Sequence, residues 1–251
     1  MDYDRFDTKN YDFNKQSKKG VYILHGFSST TYEVRQLAKF LGEKGFHTIA
    51  NNLPGHGLTT EDCNRIKYED WFYHIKEDLA KLASQSEKLY IVGCSMGAVL
   101  SLYASSIFPF NGCIVGGTVL QFNNPFTIKI INRLLCKFVK IREKKTQVSK
   151  EDIKSCKFYG YKQYPLLALN EFRKMNNIVI NKLHKIKCPT LIIHSHNDRL
   201  SLQDNVDLVY NKISSEIKEK MYVEKSHHNL FDANPDQKKI FNQILKFLNE
   251  N

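Results

Sequence analysis

No apolar run in this sequence approaches the roughly 20 residues that a membrane-spanning helix needs, so neither a span nor a stable membrane anchor is expected. There is no CxxC pair either. The six cysteines, Cys63, Cys94, Cys113, Cys136, Cys156 and Cys188, stand apart, and several lie in apolar runs, as reduced buried thiols do. Long basic blocks are also missing. The formal net charge is +11, but lysine and arginine are scattered, and the densest cluster, KIREKK (Lys140 to Lys145), is short and contains a glutamate. Such charge speaks to association and not to fold. No nucleic-acid partner is expected, while a weak attraction to anionic lipid surfaces or fatty products stays open. The chain starts with MDYDRFDTKNYDFNKQ, which is polar and acidic where a secretory signal would be apolar. These absences point to a soluble cytoplasmic protein.

What is present is ordinary for a globular chain. With 251 residues, 42% hydrophobic and 25% charged, one α/β domain with an insertion can bury a full core. Short apolar runs alternate with amphipathic ones. VYILHGF (Val21 to Phe27), FHTIANNL (Phe46 to Leu53), LYIVGC (Leu89 to Cys94), CIVGGTV (Cys113 to Val119), TLIIHS (Thr190 to Ser195) and KMYVEK (Lys220 to Lys225) read as strands. Helices are expected between them. One places Val34, Leu37, Ala38 and Leu41 on one face, and another, from about Glu69 to Ser84, buries Trp71, Ile75, Leu79 and Leu82. MGAVLSLYASSIF forms a third. Two more run from Leu202 to Ile213 and from Pro235 to Leu248, the last burying Ile240, Phe241, Ile244, Leu245 and Leu248. Continuously apolar strands separated by helices imply a mostly parallel sheet with helices on both faces.

One section breaks the rhythm. Between Gln121 and Lys187 no convincing strand is found, only two helical runs, IKIINRLLCKFVKI and YPLLALNEFRKM, the second starting at Pro165, a good first-turn residue. A core of residues 1–121 and 188–251 with a helical cap at 122–187 is expected. Ligands of open α/β sheets bind at the carboxyl ends of the strands, which such a cap would cover.

The most informative motif is Gly93-Cys94-Ser95-Met96-Gly97, a GxSxG set between a strand and a helix. The serine must sit on a tight, strained turn, which requires small residues two positions to either side. The helix start behind it offers N–H groups and a favourable dipole to developing negative charge. Ser95 is therefore the candidate nucleophile. Cys94, on the strand side of the turn, should point away from the crevice. Acyl transfer also needs oxyanion donors. The first strand ends in His25-Gly26-Phe27-Ser28, so the Phe27 N–H can join that of Met96. His25 comes too early in the chain to be the base and is expected to hydrogen-bond neighbouring loops.

In this fold class the order is Ser, then Asp or Glu, then His. Asp198 follows TLIIHS, and SHHNLF (Ser226 to Phe231) follows KMYVEK, both on the rim that carries Ser95. Asp204 and Asp207 fall on a helix, and Asp232 follows the histidines. His227 and His228 are both candidate bases, and the spacing barely separates them. LIIHSHNDRL also permits a metal reading, with His194, His196 and Asp198 at alternate positions. His194, however, belongs to the buried strand, Arg199 places a cation beside the cluster, and no HExxH helix or cysteine pair supplies further ligands.

At this point the residues resemble the α/β-hydrolase superfamily, in particular its small bacterial carboxylesterases and monoacylglycerol lipases. The likeness runs from VYILHGFSST onward through LPGHG, EDW, GCSMG, HNDRLS and SHH, and a short cap with KEDI and YPLLAL. The ensemble is specific where its single motifs are not. The resemblance implies the α/β-hydrolase fold and puts the nucleophile on Ser95, the acid on Asp198, the base of the S-x-H pattern on His228, and the oxyanion amides on Phe27 and Met96. It implies no metal or organic cofactor. Two departures bear on the acyl pocket: Ala98 stands where many relatives carry a second glycine, and HGFSSTTYE lacks the glycine and proline that often follow HGF.

The implied reaction is hydrolysis of a small-molecule ester, of short-to-medium acyl length or a monoacylglycerol, through an acyl-enzyme. A hydroxycinnamoyl esterase, a peptidase or an acyltransferase could use the same residues, and a non-catalytic ligand-binding member of the fold is a further alternative. Phe122, Phe126, Ile128, Ile131 and Leu135 of the cap would either line an acyl or alcohol pocket or pack the cap against the core. Oligomeric state is not legible in the sequence.

Overall fold

Alternate residues along the apolar strands feed two separate cores. Tyr22 and Leu24 join Trp71, Ile91, Val115 and Ile192 on one face of the sheet. Val21 and Ile23 join Leu37, Val92, Ile114, Ile193 and Ile244 on the other. A strand buried on both faces has no polar side, which is why these segments read as unbroken apolar runs. The computed structural model describes residues 6–144 and 160–251. Cys156, Lys145 and the KEDI segment lie outside them.

The strands are β1 (Tyr11–Phe13), β2 (Lys19–Leu24), β3 (His47–Ala50), β4 (Lys88–Cys94), β5 (Gly112–Gly116), β8 (Thr190–Ser195) and β9 (Lys218–Val223), with β6 (Ile141–Glu143) and β7 (Gln163–Pro165) in a separate pair. The seven-stranded sheet has the order β1-β3-β2-β4-β5-β8-β9. All its neighbours are parallel except β1, which pairs antiparallel with β3. Helices α1 (Arg35–Glu43) and α8 (Gln237–Glu250) cover the face of Val21. Helices α3 (Tyr68–Ala83), α4 (Met96–Ser105), α6 (Leu166–Lys182) and α7 (Asp204–Lys212) cover the other. The sheet is that of an α/β-hydrolase fold: mostly parallel, helices on both faces.

Two features depart from the sequence expectation. β1 is a strand of only three residues, too short for its alternation to register. In the segment between β5 and β8, the expected helix over Ile128 to Ile141 ends early. A π-helical turn, Thr127–Asn132, passes into the single turn α5 (Arg133–Leu135), and from Ile141 the chain is extended and pairs with Gln163–Pro165. Pairing with Gln163–Pro165, which includes Ile141 and Tyr164, wins there over helical periodicity.

Side-chain amides hold this segment down. Asn64 of α2 (Thr60–Arg65) accepts the Leu167 and Ala168 N–H groups at 2.9 and 3.3 Å, capping α6 from outside, and donates to Lys140 O. Asn176 of α6 donates to the carbonyls of Val119 and Leu120 beyond β5. Phe172 of α6 packs on Phe27 and Phe122, with ring centroids 5.7 and 5.5 Å apart. By contrast, Phe126, Ile131 and Leu135 are 65%, 40% and 48% exposed, so they do not pack the segment against the core, whereas Phe122 is buried and Ile128 partly so. Among the described residues no helix is long and apolar enough to cross a membrane.

Candidate functional site

Ser95 occupies the step from central β4 into α4. Its backbone is at φ 57° and ψ −115°, a region in which a side chain costs about 1–3 kcal/mol. The turn closes only because its flanks are glycine. A Cβ on Gly93 would stand 2.2 Å from Gly97 O, and one on Gly97 would stand 2.3 Å from Leu24 O of β2. The Ser95 N–H donates to Gly116 O at the end of β5, at 2.9 Å. α4 begins at Met96, so its first N–H groups are directed at the serine's end of the helix. The Phe27 and Met96 amides donate to no other group among the described residues.

The exits of β8 and β9 meet beside this turn. Asp198 Oδ2 lies 2.7 Å from His228 Nδ1, and the Asp198 side chain is fully buried. Its other oxygen accepts the N–H groups of Leu200 and Ser201 at 2.8 and 2.9 Å, which fixes the carboxylate plane. Burial pushes Asp198 up, but the His228 charge and these donors outweigh it and leave it below its ordinary value. Burial likewise pulls His228 down, yet Asp198, with Glu33 adding to it, leaves His228 above its ordinary value. With Nδ1 turned to Asp198, Nε2 is the ring atom available on the other edge.

His228 rests on Gly117, whose φ of +54° lets the loop after β5 pass 3.3 Å from the imidazole at the point a Cβ would occupy. Gly116 and Gly117 thus touch Ser95 and His228 in turn. The histidine loop is anchored from behind by Asp236, which accepts the N–H groups of Lys225 and Ser226. His227 points elsewhere: it is exposed and its Nδ1 faces Asn197 O at 3.3 Å.

The three residues of the metal alternative go to different places. His194 is buried in β8. His196 stacks on Tyr222 and pairs with Gln203 and Glu224. Asp198 serves His228. Among the described residues no group of three or more His, Cys, Asp or Glu side chains is arranged to hold a metal ion.

His25 behaves as a loop tie. Its Nε2 accepts the Leu53 N–H at 3.0 Å, and Nδ1 donates to Gly26 O. His56 does the same from the LPGHG side, accepting the Ser28 N–H at 3.2 Å. Sequence reasoning missed His56, Glu33 and Asp236. Only the polar residue type marked them, since their partners lie 7 to 28 residues away at no regular helical or strand spacing.

Comparison with known proteins shows the family. The family described as Serine aminopeptidase, S33 (Hydrolase_4) matches residues 15–235. The chain belongs to that family. It is a serine hydrolase of the α/β-hydrolase fold. It is 27% identical over 230 residues to a thermostable monoacylglycerol lipase of Bacillus sp. (strain H-257), covering 91% of this chain and 89% of that one. It is 24% identical over 238 residues to a carboxylesterase of Bacillus subtilis (strain 168), covering 93% and 94%. A solved structure of the metagenome-derived lipolytic enzymes LipS and LipT superimposes with a TM-score of 0.85 at 24% identity, over 97% of this chain and 98% of that one. This last likeness concerns the fold alone.

Proposed function

We propose that this serine hydrolase cleaves carboxylic esters of short-to-medium acyl length or monoacylglycerols, by a Ser95, Asp198, His228 triad and an acyl-enzyme. The observation that carries the reading is the 2.7 Å contact between buried Asp198 and His228 on the rim where Ser95 sits strained on its elbow. His228 Nε2 takes the Ser95 Oγ proton as Oγ bonds to the ester carbonyl carbon. Asp198 holds the ring and stabilises the imidazolium without itself taking the proton. The Phe27 and Met96 N–H groups stabilise the oxyanion, each worth about 3–4 kcal/mol in such sites. Collapse of the tetrahedral adduct breaks the C–O bond to the alcohol, which leaves with the proton from Nε2. Water then repeats the sequence and frees the acid.

The two Bacillus relatives support the ester class. The aromatic cluster of Phe27, Phe172 and Phe122, built on the residue whose amide is the proposed oxyanion donor, supports an apolar acyl group. Action in the cytoplasm is supported by the five described cysteines, all of which are free.

The test is a panel of p-nitrophenyl esters and monoacylglycerols of graded acyl length, run with Ser95→Ala and with His228→Ala beside His227→Ala. Turnover of short and medium chains is expected, falling by at least about 10³-fold in S95A and H228A and by less than about 3-fold in H227A. Efficient cleavage of triacylglycerols or of aminoacyl p-nitroanilides in preference to these esters would overturn the substrate class.

A further inference from the structure

Glu33 lies in the 3-10 turn Thr31–Glu33 ahead of α1 and is only 2% exposed. A carboxylate is retained in such a place only where hydrogen bonds and charges compensate its lost hydration. Here Oε2 accepts the Gly26 N–H at 2.6 Å, and the Cys94 thiol faces Oε1 at 3.9 Å. Gly26 and Cys94 are the chain neighbours of Phe27 and Ser95. A Cβ built on Gly26 would lie 2.9 Å from Glu33 Oε2 and 3.0 Å from Ser95 Cβ. Carboxylate and serine therefore crowd the same α-carbon, and a side chain there would push the Glu33 carboxylate away from its amide. Glu33 also acts electrostatically on His228, as Asp198 does.

We propose that Glu33 is a positioning residue of the serine site, fixing the Gly26 amide so that the Phe27 loop stays aligned beside Ser95 and setting a second carboxylate, after Asp198, close to the serine. The proposal rests on the triad reading above. Its electrostatic half concerns a small set of groups. Facing His228 are Asp198 and His194 from β8 and its exit, and Glu33 from the turn before α1. Facing Glu33 are His228, Asp232 and Lys144, with the Cys94 thiol beside it. Burial pushes the Glu33 carboxyl up, and the Gly26 N–H and the His228 charge oppose that.

Two readouts separate positioning from mere packing. The first is the imidazole titration of His228, followed by NMR in a Ser95→Ala background and needing no substrate. Glu33→Gln keeps an acceptor for the Gly26 amide but removes the charge, so the His228 midpoint is expected to fall by about 0.5–1 pH unit. The acid limb of kcat/KM in S95-intact enzyme should move down by the same amount. The second readout is kcat for p-nitrophenyl butyrate. Glu33→Asp keeps the charge but withdraws it from Gly26, and kcat should fall about 10- to 100-fold with KM within about 3-fold.

An unshifted His228 midpoint in E33Q overturns the electrostatic half, and wild-type kcat in E33D overturns the positioning half. If the wild-type enzyme turns over no ester while the midpoint still shifts, the ester reading fails and the electrostatic role of Glu33 stands.

Discussion

At the scale of one residue, Ser95 shows how chemistry and stability pull apart. Its φ of 57° with ψ of −115° is held by the Gly116 carbonyl on its N–H and by the helix that starts one residue later. A Cβ is unwelcome there, and the proposed nucleophile supplies the reason for a serine: its hydroxyl has to project from the turn. Two variants isolate that cost. Ser95→Ala removes the hydroxyl and keeps the strain, whereas Ser95→Gly removes both. Glycine loses about 0.4–1 kcal/mol through the greater freedom of its unfolded chain, against about 1–3 kcal/mol of released strain. S95G should therefore be more stable than S95A by about 1 kcal/mol in urea unfolding. An S95G protein weaker than S95A would mean that the turn is not strained.

At the scale of the element, the elbow is a contact between two backbones. Gly97 opens α4 so closely against the end of β2 that a methyl group would meet Leu24 O at 2.3 Å and His25 O at 2.6 Å. Neither atom can swing away, because both are backbone carbonyls, one in the last residue of β2 and one in the residue that follows it. Gly97→Ala is expected to cost about 3 kcal/mol of stability, at the upper end for overpacking, and to lower kcat in whatever protein still folds. Urea unfolding and ester turnover measure both, and a loss under about 1 kcal/mol would contradict so tight a contact.

Legibility in the sequence follows the same physics. β2, β4, β5 and β8 could be read because burial on both faces leaves a run of apolar residues at the centre of each. GCSMG could be read because the turn tolerates so few residue types. β1 could not, since three residues carry no period. Cap residues Phe126, Ile131 and Leu135 suggested a lined pocket or a packed interface, yet they are exposed. Hydrophobicity announces burial only where a partner surface exists. Glu33 and His56 were silent for another reason: Glu33 turns back on an amide seven residues earlier in its own loop and His56 meets one in a different loop, and no local period encodes either meeting.

At the scale of the whole molecule, His25 and His56 tie the loop after β2 to the LPGHG turn after β3, and each accepts a backbone N–H through a ring nitrogen that must stay unprotonated. Burial lowers both, His25 to about 4 and His56 to about 3, where the neighbouring His25 contributes as well. In the unfolded chain a histidine titrates near 6.5. As pH falls below that value, the unfolded state takes up protons that the folded state refuses, so stability is complete above about pH 6.5 and is lost toward pH 4. Buried His194, also lowered, acts in the same direction. His228, raised, acts against it, and Asp198 contributes only below the ordinary carboxylate range. Two rings, half protonated in the unfolded chain at pH 6.5 and almost fully so at pH 5, at 1.36 kcal/mol per pH unit each, imply a loss of roughly 3 kcal/mol over that range. Urea unfolding at half-unit steps should show that slope, and His56→Asn, which removes one titrating ring, should reduce it by about half. A stability curve that stays flat from pH 7 to pH 5 would mean that one of these rings is protonated in place, and that the two loops are joined by something other than neutral histidine.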